Sequence, residues 1–142
     1  MDNRTAKIER KTKETDISLE LNLDGAGKYE IDTGIGFLDH MLTHLSKHSG
    51  IDLIVKAKGD LEVDAHHTVE DVAICLGEAL LKALGGKKGI VRYGHSSVPM
   101  EDALANVSID LSGRAACVYN VEYRSDKIGD FDVECLEEML RS

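Results

Sequence analysis

Tryptophan is absent from this chain, aromatic residues make up only 4%, and proline occurs once, at Pro99. With so few rings the interior has to be filled by aliphatic side chains. A proline-rich linker or recognition segment is excluded. No apolar run approaches the ~18 residues that a membrane helix needs. Residues 1–13 are charged and hold no apolar stretch, so no secretory leader is expected. Basic side chains are in the minority, 17 Lys and Arg against 26 Asp and Glu, for a formal net charge of −9. That balance argues against a nucleic-acid-binding face, although a few local arginines suffice to hold a small anion. The three cysteines, Cys75, Cys117 and Cys135, are widely spaced. An odd, scattered set reads as reduced, mostly buried thiols of a cytoplasmic protein, not as a disulfide or zinc framework. What is present is a chain of 142 residues, 42% apolar and 30% charged. This is the composition of one globular domain, able to bury roughly two-thirds of its unfolded surface.

The periodicities give an element order. Lys7, Glu9 and Lys11 interleave with Ile8, and Ile17, Leu19, Leu21 and Leu23 recur at period two, which predicts two strands. Asp24-Gly25 with Gly27 marks a turn. After Gly34 and Gly36, the residues Phe37, Met41, Leu42 and Leu45 predict one face of a helix ending near Gly50. Ile51, Leu53 and Val55 form a further alternating strand, broken at Gly59-Asp60. A long amphipathic helix is expected from about His67, with Val69, Val72, Ala73, Leu76, Ala79, Leu80, Ala83 and Leu84 on its apolar face. Gly85-Gly86 stops it. The same order then starts again. Segments 89–94, 105–111 and 115–123 read as strands, and a helix from Phe131 carries Val133, Leu136, Met139 and Leu140 on one side. It reaches Ser142 without a cap. The expectation is a single domain over 1–142, with a first repeat at 1–86 and a partial second repeat at 87–142 that lacks a last strand and long helix.

Three groups of residues carry chemistry. The strongest is Asp64-Ala65-His66-His67-Thr68-Val69-Glu70-Asp71 at the mouth of the long helix. Adjacent helical residues point about 100° apart, so His66 and His67 suit two different ions better than one. Glu70 shares a helix face with either. Two imidazoles and a carboxylate suit a borderline divalent cation such as Mn, Fe or Zn. The competing reading is a polar helix start, where Glu70 and Asp71 favour the dipole, but it leaves the paired histidines unexplained. The second group is His40, set in the apolar stretch Gly36-Phe37-Leu38-Asp39-His40-Met41, with His44 and His48 following at helical spacing. His40 is the candidate ligand. His44 and His48 read as solvated helix histidines, and His95 has no assigned role. The third group is Arg92 in Gly89-Ile90-Val91-Arg92-Tyr93-Gly94 and Arg114 in Ser112-Gly113-Arg114. An arginine fork beside small residues fits phosphate oxygens, and surface ion pairing is the alternative.

Together these residues resemble the imidazoleglycerol-phosphate dehydratase family. The resemblance runs through Arg10-Lys11-Thr12-Lys13-Glu14-Thr15, the stretch from Gly34 to Met41, the block from His66 to Asp71, residues 89–100, and Ser112-Gly113-Arg114. It covers essentially the whole chain. It implies an α+β fold with a two-fold internal repeat of sheet-plus-helices units, ribosomal protein S5 domain 2-like, with the second repeat incomplete. It implies a lyase that dehydrates imidazole-glycerol phosphate to imidazole-acetol phosphate in histidine biosynthesis. His40, His66, His67 and Glu70 would be manganese ligands, two ions per site, and Arg92 and Arg114 would hold the substrate phosphate. Glu14 would move protons beside the imidazole. It further implies a cytoplasmic homo-oligomer of twenty-four chains whose sites are shared between subunits, with no nucleic-acid or membrane partner. This chain has Glu101-Asp102 after Pro99-Met100 where the family usually has the reverse order. The second His-His-x-x-Glu helix is not within it, so the chain by itself is expected to be inactive. The alternatives are a non-catalytic metal-binding fragment and a metal-dependent hydrolase. The absence of an Asp-x-Asp motif near Met1 argues against a two-domain bifunctional form.

Overall fold

The computed structural model describes residues 4–142, so the first three residues of the charged start lie outside the described part. The described residues form two units, one reaching to Gly85 and including Val118–Ser142, the other Gly86–Cys117.

In the first unit the two expected strands are β1 (Thr5–Lys11) and β2 (Thr15–Asn22), which pair as an antiparallel hairpin with Ile8 opposite Leu19 and Arg10 opposite Ile17. Alternation decides which face is buried. Ala6, Thr15, Ile17, Leu19 and Leu21 are all buried on one side. The expected third strand becomes β4 (Asp52–Gly59), antiparallel to β2, and Leu53 and Val55 complete the apolar face. A strand the periodicity does not predict, β3 (Tyr29–Asp32), runs parallel to β4 at the edge, so the sheet order is β1-β2-β4-β3. Three of its four residues are exposed, so an edge strand of this kind leaves almost no hydrophobic alternation to detect.

Two helices join this sheet. Helix α1 (Gly36–Ser49) ends at Gly50, which adopts φ 78° in the left-handed region. Its buried residues are Leu38, Leu42 and Ser46, while Leu45 is exposed. The buried face is therefore turned by about one residue from the expected one. Ser46 fits the interior because its hydroxyl donates to the Ile51 carbonyl at 2.8 Å. Helix α2 (His66–Leu84) lies against β1, β2 and β4 and buries Val69, Val72, Ala73, Cys75, Ala79 and Ala83. Leu80, expected in the core, is partly exposed, and Cys75 is fully buried instead. The segment after residue 117 adds the short antiparallel pair β7 (Lys127–Ile128) and β8 (Phe131–Asp132), and helix α3 (Glu134–Arg141) packed on α2. Phe131 and Cys135 enter the same core. The helix thus starts three residues later than the periodicity predicts, because Phe131 pairs as a strand with Ile128.

The second unit is a hairpin of β5 (Tyr93–Met100) and β6 (Ala103–Asp110). Its strands are displaced from the expected 89–94 and 105–111. Glu101, at φ 52°, and Asp102 make the tight turn between them. One face carries Val98, Met100, Val107 and Ile109, the other Tyr93, His95, Asn106 and Asp110. The alternation at 115–123 that predicts a strand finds no ladder partner, and this stretch is irregular. Period two reports a chain able to pair, and pairing needs a second strand within reach.

Candidate active site

The start of α2 is fixed from below and from ahead. Gly59, at the end of β4, lets the helix approach so closely that a Cβ there would lie 1.9 Å from Thr68 Oγ1. Asp64 accepts the His66 backbone N–H at 2.9 Å, which places a carboxylate where the helix has unpaired donors. His66 and His67 then project from successive positions of the first turn.

His67 is exposed, and its Nδ1 lies 2.9 Å from Asp60 Oδ2. An ionised carboxylate only accepts, so in the neutral ring Nδ1 carries the proton and Nε2 keeps its lone pair. This is the histidine–carboxylate arrangement that orients imidazole ligands. The hydrogen bond to Asp60, with that carboxylate's charge, raises the His67 pKa above its usual value, and Glu14 adds to the same effect. The turn carrying Glu14 therefore lies close enough to α2 for its charge to be felt at His67.

His66 faces α3. Its Nε2 is 3.3 Å from Glu134 Oε1 and 3.7 Å from Glu138 Oε2. Its Nδ1 is buried and has no hydrogen-bond partner. His66, Cys135 and Glu138 each offer a ligand atom within 4.8 Å of the others, the one such trio among the described residues. His66, Glu70 and Glu138 line one groove. Burial pushes the Cys135 thiol up to about 11, as it does Cys75. Cys75, Cys117 and Cys135 form no disulfide. The donor set of imidazoles, carboxylates and a buried unsatisfied nitrogen fits a divalent cation.

His40 stands apart from this cluster on α1, lining a cleft of about 690 Å³ that also takes in Asp64, Lys127 and Asp130. Its ring stacks edge-on with His44 at 4.3 Å, and His44 with His48 at 5.3 Å. Desolvation lowers the His44 pKa, and the neighbouring His40 and His48 lower it further.

In the hairpin unit, Arg92 is already paired. Its Nε and Nη2 donate to the two carboxylate oxygens of Asp110 at 2.6 and 3.0 Å, and its guanidinium lies 4.9 Å from the centre of the Tyr93 ring. Arg114 is exposed on the turn after β6, where its N–H donates to Ser112 Oγ.

The structure thus gathers His66, Glu70 and the α3 acids, and separately His67 with Asp60. It leaves His40 on another element. Sequence reasoning missed Asp60, Asp71, Glu134, Cys135 and Glu138. The acids of α3 have a faint signal in their spacing of four on an amphipathic helix, whereas Asp60 has none beyond its glycine neighbour.

Comparison with known proteins adds identity to this geometry. The family model for imidazoleglycerol-phosphate dehydratase matches residues 33–142. The chain is 59% identical over 141 residues to the imidazoleglycerol-phosphate dehydratase of Clostridium acetobutylicum, covering 99% of this chain and 72% of that protein. It is 56% identical over 139 residues to that of Desulforudis audaxviator, covering 98% and 71%. The crystal structure of imidazoleglycerol-phosphate dehydratase from Staphylococcus aureus superposes with a TM-score of 0.86 at 37% identity, over 96% of this chain and 75% of that one. The Pyrococcus furiosus structure, in complex with (S)-C348, gives 0.79 at 39% identity, over 94% and 70%. By sequence, by fold and by the histidine block at the start of α2, the chain belongs to the imidazoleglycerol-phosphate dehydratase family.

Proposed function

We propose that this chain works through Glu14, His40, His66, His67, Glu70, Arg92 and Arg114, with two manganese ions as its cofactor. The family's reaction is the dehydration of imidazole-glycerol phosphate to imidazole-acetol phosphate, a lyase step of histidine biosynthesis acting on a small phosphorylated substrate. The carbon that gives up its proton has no neighbouring carbonyl to accept charge, so the imidazole ring has to take it. Bound divalent cations supply Lewis acidity and a template for that ring. His66, His67, Glu70 and His40 would hold them, with Glu138 as a further donor from α3.

The observation that carries this reading is the Asp60–His67 pair. It presents Nε2 of an exposed histidine as a ligand, one residue from a histidine whose buried Nδ1 makes no hydrogen bond and has the Asp64 carboxylate 3.5 Å away. Glu14 is exposed on the turn between β1 and β2, where a carboxylate is free to take and return a proton at the substrate carbon and hydroxyl. Arg92 and Arg114 would grip the phosphate, far from the reacting carbon, and supply the binding energy that orients the ring. For Arg92 this means exchanging Asp110 for a phosphate. Five side-chain donors are too few to close two metal spheres, so neighbouring chains would complete the site, and we place it in the cytoplasmic homo-oligomer of twenty-four chains that the family resemblance implies. A single chain outside that assembly would then be inactive.

The test is elemental analysis of the enzyme beside a dehydratase assay. His66→Ala and His67→Ala should each lower bound manganese and abolish turnover. Unchanged manganese in both variants would remove the ligand assignment. The hydrolase alternative requires turnover of phosphate esters that lack an imidazole, and none is expected.

A further inference from the structure

Asp71 follows Glu70 in α2 but points the other way, into the protein, where it is 7% exposed. Both its oxygens are taken. Oδ1 accepts from Arg10 Nε at 2.8 Å, and Oδ2 accepts the Thr15 hydroxyl at 2.5 Å. The Thr15 proton is thereby committed to Asp71, so in the 3.1 Å contact between Thr12 Oγ1 and Thr15 Oγ1 the donor has to be Thr12. Thr12 Oγ1 accepts in turn the backbone N–H groups of Glu14, at 3.1 Å, and Thr15, at 2.9 Å. The Thr12 N–H closes the turn on the Thr15 carbonyl at 2.9 Å. A directed chain of hydrogen bonds therefore runs from the second turn of α2 to the backbone of Glu14.

We infer that Asp71 is a positioning residue, which through Thr15 and Thr12 locks the turn bearing Glu14 against the helix bearing His67 and Glu70. The inference rests on the reading of Glu14 as the proton-transfer group and adds what holds that group in place. Two features separate it from a merely structural ion pair. Arg10 alone would satisfy one oxygen, yet the other is spent on Thr15, the first residue of β2, whose carbonyl closes the turn. The turn's backbone also has no other side-chain acceptor among the described hydrogen bonds. Placement of this kind matters because a displacement of about 1 Å at a reacting group can cost on the order of a hundredfold in rate.

The experiment is a double-mutant cycle in the active enzyme, joined to hydrogen exchange at the turn. Asp71→Asn, which cannot accept from both Arg10 and Thr15, should lower kcat by about tenfold or more while KM and bound manganese stay within about twofold. Thr15→Val should do the same, and Thr15→Ser, which keeps the hydroxyl, should restore most of the loss. In a Glu14→Gln background Asp71→Asn should have no further effect on kcat. Losses that multiply in the double variant, or an unchanged kcat in a folded Asp71→Asn protein, would overturn the inference. If Glu14→Gln itself keeps full turnover, the proton-transfer reading has failed separately. The locking claim is then decided by the Glu14 and Thr15 amides, which should exchange faster in Asp71→Asn while those of Val72–Ala79 are unchanged. Equal protection in both proteins would refute it.

Discussion

Gly59→Ala isolates the contact that sets the height of α2, the helix bearing His66 and His67, above its sheet. The new Cβ would lie 1.9 Å from Thr68 Oγ1, 3.1 Å from its Cβ and 3.5 Å from its Cγ2. Comfortable separations between such atoms are about 3.5–4.0 Å, so the helix start or the end of β4 has to move by more than an ångström. Thr68 cannot simply rotate away, since it is fully buried. Overpacking of this kind costs about 1–3 kcal/mol. Unfolding entropy is about 2.1 cal/mol/K per residue, which for 142 residues gives about 0.3 kcal/mol/K. The expected fall in Tm is therefore about 3–10 °C. Thr68→Ala provides the control. Its hydroxyl is buried without a partner, so its removal forfeits no hydrogen bond, and it takes away the atom that clashes most. In that background Gly59→Ala should cost at least about 1 kcal/mol less, with some strain left because the two Cβ atoms still meet at 3.1 Å. Urea and thermal unfolding of the four proteins measure the cycle. A Gly59→Ala variant within about 0.5 kcal/mol of the parent, or strictly additive costs, would refute the packing argument. Because Thr68 follows His67 directly, the displaced helix should also bind manganese more weakly.

Arg92→Ala and Arg114→Ala should raise KM for the phosphorylated substrate by roughly ten- to a hundredfold, the ~1.5–3 kcal/mol of a charge-assisted contact, with bound manganese unchanged. A normal KM would return that arginine to surface ion pairing. Asp52 supplies a prediction in pH. It accepts the N–H groups of Ala26 and Lys28, both at 2.8 Å, and these bonds hold its pKa below the usual aspartate value of 3.8. A carboxyl depressed in the folded state adds stability that is present above its unfolded pKa and lost as the pH falls through the folded one. Asp52→Asn should thus be less stable than the parent at pH 7, and urea midpoints should converge below about pH 4. A gap that does not change with pH would show that the ionised form contributes nothing.

How much of this was legible beforehand follows from where each signal resides. The β1–β2 hairpin, β4 and both long helices declare themselves because one side of each faces a core, and the solvent side keeps its polar residues in step. The block from His66 to Asp71 is as plain, since a pair of histidines and a carboxylate at one helix start has little other use. The edge strand β3 has no such signal, for its neighbour on one side is water. The buried face of α1 is misjudged by about one residue because Ser46, polar by composition, is admitted to the interior by its bond to the Ile51 carbonyl.

The sequence by itself determined the periodic elements, the aliphatic core and the cluster of imidazoles, because these depend on residues a few positions apart. Only the tertiary structure decided that Glu138 and Cys135 come to His66, that Asp60 fixes the His67 tautomer, and that Asp71 reaches across to Arg10 and Thr15. Those pairs are separated by 7 to 61 positions where they are hydrogen-bonded, and still further where α3 meets α2. Such meetings are set by which faces pack together, a property of the whole sheet and its helices that no local pattern carries.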